Sequence, residues 1–225
     1  RKQSHPELSL ESEKDKFNLY TFNDLQIGVI IAMTIEFKEN WMPRLAIPGR
    51  DDVPDASREA LDKIHQAMGK VPNEYRLIGT NSEVMDGYMS MVVSATKVFG
   101  HKLVEKISLA VSQLNGSDYD LSKHRYLALN HARIMPAEIE LNRQGTSIDA
   151  KAAAAIEFAL VVATKRGHIE DDDLGRIRSV GFNDSDIIAI VSAATMATMT
   201  NLLNSVTRTE IDFPLLRCDE SDSDL

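Results

Sequence analysis

Between Asp51 and Arg217 the apolar residues recur at spacings of three and four, in runs parted by glycine, proline or asparagine, and nowhere alternate as a half-buried strand requires. The pattern predicts an all-α fold. Asp55 is placed to cap “ASREALDKIHQAM” and Gly69 to stop it. “SEVMDGYMSMVVSATKVF” (82–99) sets Val84, Tyr88, Met91, Val92 and Ala95 on one face and ends at Gly100. “KLVEKISLAVSQL” (102–114) does the same with Leu103, Ile107, Ala110, Val111 and Leu114. A further helix is expected from about 120 to 135, stopped before Pro136. Thr146 or Ser147 can cap the next, which carries Lys165 and Arg166 in its last turn before Gly167. “EDDD” (170–173) suits a helix start, where the dipole favours acids, better than a cation site. Asn183 caps “DSDIIAIVSAATMATMTNLLNSV”, whose small and methionine-rich faces suit close helix packing.

Three segments result: an N-terminal extension (1–50), a helical domain (51–213) and an acidic tail (214–225), whose end “CDESDSDL” (218–225) is read as solvated. The extension holds the longest apolar run, “LQIGVIIAMTIEF” (25–37). It is too short to span a bilayer, which takes about 20 apolar residues, and lacks the form of a secretory signal. The chain carries 25 Lys+Arg against 34 Asp+Glu, a net charge of −9, with no basic run. Nucleic acid and membrane surfaces are therefore not expected as partners. The single cysteine, Cys218, rules out an internal disulfide and fits a reducing, cytoplasmic setting. No glycine-rich loop offers a phosphate cradle, and no cofactor is expected.

The chemistry-bearing residues gather around “NGSDYDLSKH” (115–124). Asp120 and His124, four apart, share a helix face. Glu105 lies on the preceding helix, and an antiparallel return brings it opposite them. With Ser117 the spacing reads E-x11-S-x2-D-x3-H.

That arrangement resembles the alkyl hydroperoxidase D-like, or carboxymuconolactone decarboxylase, superfamily, whose redox members carry E-x11-C-x2-C-x3-H. The likeness extends to “VPNEYRLIGTNSEVMDGYMSM” (71–91), to “EKISLAVSQLNG” (105–116) and to 158–206, which is similar to the peroxidase-related branch. It implies that superfamily's helical bundle over about 51–213 and a homo-oligomer: a dimer, trimer or hexamer with the site near subunit contacts. The departure is chemical. Where the redox members place two cysteines this chain has Ser117 and Asp120. A thiolate attacks peroxide and a second thiol resolves the sulfenic acid; a hydroxyl and a carboxylate do neither. Thiol peroxidase activity is thus disfavoured.

Several readings of the remaining residues stand side by side. In the first, His124 moves a proton on a small organic acid while Glu105 or Asp120 orients it, Ser117 donates to the substrate and Tyr119 lines the pocket. His131, two turns on from His124, extends the relay or binds substrate. In the second, the fold serves as a non-catalytic binding or assembly module, with the old site filled by a paired polar cluster. A serine nucleophile at Ser117 lacks an evident oxyanion hole. A divalent ion held by Glu105, Asp120 and His124 has suitable spacing, but a His–carboxylate pair is satisfied without one, so no metal is expected.

Overall fold

A computed structural model describes residues 42–219. The chain divides into two compact units, Arg1–Met42 and Pro43–Leu225, and the second carries every helix named below. The apolar run at 25–37 lies outside the described residues.

After a short 3-10 turn (Arg50–Asp52) come α1 (Asp55–Met68), α2 (Asn73–Ile78), α3 (Ser82–Asn115), α4 (Asp118–Asn130), α5 (Pro136–Arg143), α6 (Ala150–Thr164), α7 (Asp171–Ser179) and α8 (Asp184–Thr207). Among the described residues there is no strand. The all-α expectation holds. The long helices α3 and α8 pack along each other and take α4 and α6 at their sides.

The break at Gly100 is real. Two helical stretches meet there across a kink, with Gly100 at φ 70° and ψ 164°, a conformation that costs little only without a Cβ. The downstream half of α3 contributes Ile107, Ala110 and Val111 to a core shared with α6, α7 and α8. The upstream half gives Met85, Tyr88 and Ala95 to a second core with α1 and α2. Tyr88 and Ala95 of the face read in sequence are buried as expected, but at its start Met85 is buried and Val84 is exposed.

Other boundaries moved. The helix expected over 120–135 ends at Asn130, and Pro136 does not stop it but opens α5. At a first helical position proline's missing N–H has no partner to lose. Asp149, not Thr146 or Ser147, caps α6 through its side chain to Ala152 N. Asn183 caps α8 as expected, in a capping box with Asp186. α8 is long and apolar enough to cross a membrane by composition, yet it carries Asn201 and Asn204 on a buried side and both large cores converge on it.

The ends of the domain also differ from the expectation. Residues from Pro43 to Arg50 bond to the body: Arg44 N reaches Thr207 O at 2.8 Å and Arg76 Nε reaches Pro48 O at 2.6 Å. The start of the tail docks on the body. Leu216 is fully buried and pairs its backbone with Ser122 Oγ, and half-buried Cys218 donates from its N to Asp118 Oδ1 at 2.8 Å, while Leu215 and Asp219 are exposed. Burial of Leu216 anchors this stretch; residues 220–225 lie outside the described residues.

Candidate active site

Gly116 (φ 66°) caps α3 and turns the chain straight into α4, which returns along α3. That turn carries Ser117 at the α4 N-cap and brings His124 back against Glu105. His124 Nδ1–H donates to Glu105 Oε2 at 2.7 Å, the carboxylate being the acceptor. The pair is mostly buried, with side chains 10% and 11% exposed. Among the described residues the ring's Nε2 has no hydrogen-bond partner. One nitrogen is held and the other is unbonded.

Ser117 and Asp120 belong to a different arrangement. Ser117 Oγ donates to Asp120 Oδ2 at 2.7 Å. The other Asp120 oxygen accepts from Lys123 Nζ at 2.9 Å. Lys123 is only 1% exposed and also reaches both oxygens of Glu74 on α2, at 2.8 and 2.6 Å. Asn204 of α8 closes the cluster, its Nδ2 donating to Glu74 Oε2 at 2.7 Å and to Asp120 Oδ2 at 2.9 Å. Its own Oδ1 is buried without a partner.

One cation between two carboxylates sets the protonation. Burial pulls the Lys123 ammonium down, but the charges of Asp120 and Glu74 outweigh it and hold it well above the ordinary lysine range. Burial alone would push Asp120 up; Lys123 and His124 beside it hold its carboxyl well below the usual range. Glu74 goes the other way, raised by burial that Lys123 does not fully offset. The neighbouring phenols of Tyr75, pushed up to about 12 by burial, and of Tyr88 stay neutral.

The sequence constellation therefore splits. Glu105 orients His124; Asp120 does not, because both its oxygens are occupied. Ser117 is bonded to Asp120 rather than to His124, so the serine-nucleophile reading has no base. Asp120 is likewise turned away from the ion site proposed with Glu105 and His124, and among the described residues no three His, Cys, Asp or Glu side chains gather as metal ligands. Tyr119 is buried, accepts from Glu74 N at 3.0 Å and donates to Asp212 Oδ1 at 2.9 Å. His131 extends no relay; it sits exposed at the C-cap of α4, its ring 6.1 Å from that of Tyr126. Cys218 lies half-buried beside α3, its Sγ 4.0 Å from Ser112 O, and burial pushes its thiol up to about 12. That is the opposite of an activated thiol.

Sequence reasoning missed Lys123, Glu74 and Asn204. The available signal was the lack of an amphipathic stripe: Tyr119 to His124 are six consecutive buried residues, so charged positions among them had to be paired inside.

Comparison with known proteins follows the fold. No family model matches the chain, and no curated protein matches it by sequence. Solved structures do. An uncharacterized peroxidase-related protein from Ralstonia eutropha JMP134, with an alkylhydroperoxidase AhpD core, superposes with a TM-score of 0.67 at 18% identity, over 76% of this chain and 92% of that one. The chain has the alkyl hydroperoxidase D-like fold. A peroxidase-related protein from Silicibacter sp. TM1040 shares the same fold at 26% identity and a TM-score of 0.62, over 75% of this chain and 91% of its own. The debrominase Bmp8, solved with 2,3,4-tribromopyrrole, matches at 17% identity and a TM-score of 0.63, over 76% of this chain and 94% of Bmp8. The alkyl hydroperoxidase D-like fold thus hosts an enzyme in at least one of these neighbours. On it, this chain sets an ionic core beside a single imidazole–carboxylate pair.

Proposed function

We propose that this chain is a cofactor-independent acid–base enzyme acting on a small organic acid, with His124 as the proton-transfer group and Glu105 as its orienting carboxylate. The observation that carries the reading is the 2.7 Å Nδ1–Oε2 bond, with Nε2 left without a hydrogen-bond partner among the described residues. A base needs a free lone pair within reach of the substrate proton and a partner that steadies the ion it becomes. Neutral His124 accepts a proton on Nε2, and the carboxylate at Nδ1 stabilises the resulting imidazolium; reversal returns the proton to the product. The organic-acid class comes from the resemblance to carboxymuconolactone decarboxylases. The debrominase neighbour supports catalysis on the fold without indicating a substrate here.

The test is solvent deuterium exchange into a panel of small enolisable carboxylic acids, followed by NMR. Wild-type chain exchanges the acidic C–H of at least one acid, and His124→Ala loses that exchange while keeping its helical content. Equal exchange by both proteins, or by neither, sinks the assignment. Exchange by neither leaves the second reading, a binding or assembly module, which the closed Ser117–Asp120–Lys123–Glu74–Asn204 cluster favours because it fills the interior with paired groups.

A further inference from the structure

A cavity of about 330 Å³ sits where the 3-10 turn, α1 and α2 meet. None of its described lining residues belongs to the His124–Glu105 pair or to the ionic core. Buried Leu61 and half-buried Val71 supply its apolar surface. Arg50, Asp62, His65 and Arg76 supply the polar part. Leu61 and His65 are four apart on α1, so one helix face presents an apolar and a polar group to the same space.

The two guanidinium groups differ in what they hold. Arg50 grips Asp62 with two prongs, Nε to Oδ1 at 2.8 Å and Nη2 to Oδ2 at 2.7 Å. Those hydrogen bonds hold the Asp62 carboxyl below the usual carboxylate range, so it stays ionised. Asp51 meets the same guanidinium at 3.4 Å, but it is 88% exposed and outside the lining. Half-buried Arg76 bonds only neutral groups: Nε donates to Pro48 O at 2.6 Å and Nη1 to Asn73 Oδ1 at 3.4 Å. Among the described residues no carboxylate pairs with it. In a chain of net charge −9, Arg76 therefore brings an uncompensated positive charge and its Nη2 donors to the cavity wall.

We propose that this cavity binds a small organic carboxylate, its oxygens on Arg76 Nη2 and the outer N–H of Arg50, its apolar body against Leu61 and Val71. A bare inorganic anion would use the guanidinium groups and leave that apolar surface to water, so an acid with a hydrocarbon body fits better. Asp62 already fixes the Arg50 fork, which lowers the ordering cost of binding. Binding here needs nothing from His124, and His124→Ala keeps it.

Titration of the full chain with sodium benzoate at constant ionic strength, followed by amide and arginine N–H NMR shifts, tests this. Benzoate moves the signals of Leu61, Val71 and Arg76 along one saturable curve, with a dissociation constant on the order of 1 mM. Benzyl alcohol, a similar body without the charge, and inorganic phosphate, a charge without the body, each bind about tenfold more weakly. Arg76→Gln weakens benzoate about tenfold, whereas Asp62→Asn, which removes the competing carboxylate, strengthens it about threefold. Glu59→Gln, on α1 outside the lining, leaves the affinity unchanged. Should Arg76→Gln lose helicity, Arg50→Gln carries the same test, because it leaves the Asp62 charge facing the ligand. Shifts that do not saturate, or that spare these three residues, overturn the proposal. So does phosphate that binds as tightly as benzoate, and so does an affinity that neither arginine variant lowers.

Discussion

Lys123 and His124 are neighbours in the chain, both buried and both bonded to a carboxylate, yet they do opposite work. Lys123 is closed: Asp120 and both oxygens of Glu74 take its protons. His124 is half-closed, with Glu105 on one nitrogen and no partner among the described residues on the other. Saturated donors and acceptors hold helices together, and an unsaturated one can exchange a proton. Chemistry is therefore expected at the weaker-bonded of the two neighbours.

The comparison breaks most readily at Lys123. Lys123→Met leaves two buried carboxylates facing each other, and stability should fall by about 3–5 kcal/mol in urea unfolding at neutral pH. A variant as stable as the wild type means that the cluster does not grip the fold. His124→Ala should cost activity about 100-fold or more, with a stability loss of about 1–3 kcal/mol as the buried Glu105 carboxylate loses its partner. Turnover compared with urea midpoints separates these effects. Glu105→Gln should lower turnover roughly 10–100-fold and shift its pH profile, because the imidazolium loses its counter-charge; an unmoved profile would make Glu105 a mere spacer.

Acid sharpens the contrast at a second carboxylate. Burial opposes the Glu138 charge, but Lys106, Ser147, Ile148 N and Asn142 together lower its carboxyl from 4.5 to about 2. A depressed folded value stabilises the native state above the unfolded value and loses that contribution as pH falls toward 2. Urea midpoints at pH 5 and pH 3 should therefore show a wild-type loss on the order of 1–2 kcal/mol that Glu138→Gln largely removes. Glu74 works in the opposite sense, its raised value favouring the fold as pH drops. The smallest effect belongs to Cys218. With its thiol raised to about 12, alkylation at pH 8 should be at least about tenfold slower than in the urea-unfolded chain. Rapid labelling of the native chain would expose a thiol that the described contacts bury.

Much of the scaffold was legible because helix punctuation is local. Gly100, Gly116 and Asn183 each declare a break or cap through their own backbone or side-chain chemistry. Pro136 misled because a proline that ends one helix and a proline that begins the next look the same until the preceding loop is known. Spacing put Glu105 and Asp120 alike near His124; only the return of α4 along α3 pairs the ring with Glu105. The ionic core was not: Glu74, Lys123 and Asn204 come from three helices separated by 49 and 81 residues, and lysine is ordinarily a surface residue. Tyr119 was assigned to a pocket on its position beside the motif, whereas its hydroxyl is tied to Asp212 by a chain reversal that no local pattern announces.

Gly100 has one more consequence. In an unbroken helix each added or lost residue turns everything downstream by about 100°. A residue inserted before Glu105 would then carry its carboxylate off the imidazole. The non-helical joint at Gly100 acts as a phase insulator, so that the register of 82–99 can drift while 101–115 keeps its own angular setting. Length changes upstream of Gly100 are tolerable to the dyad, and the same change between Gly100 and Glu105 is not.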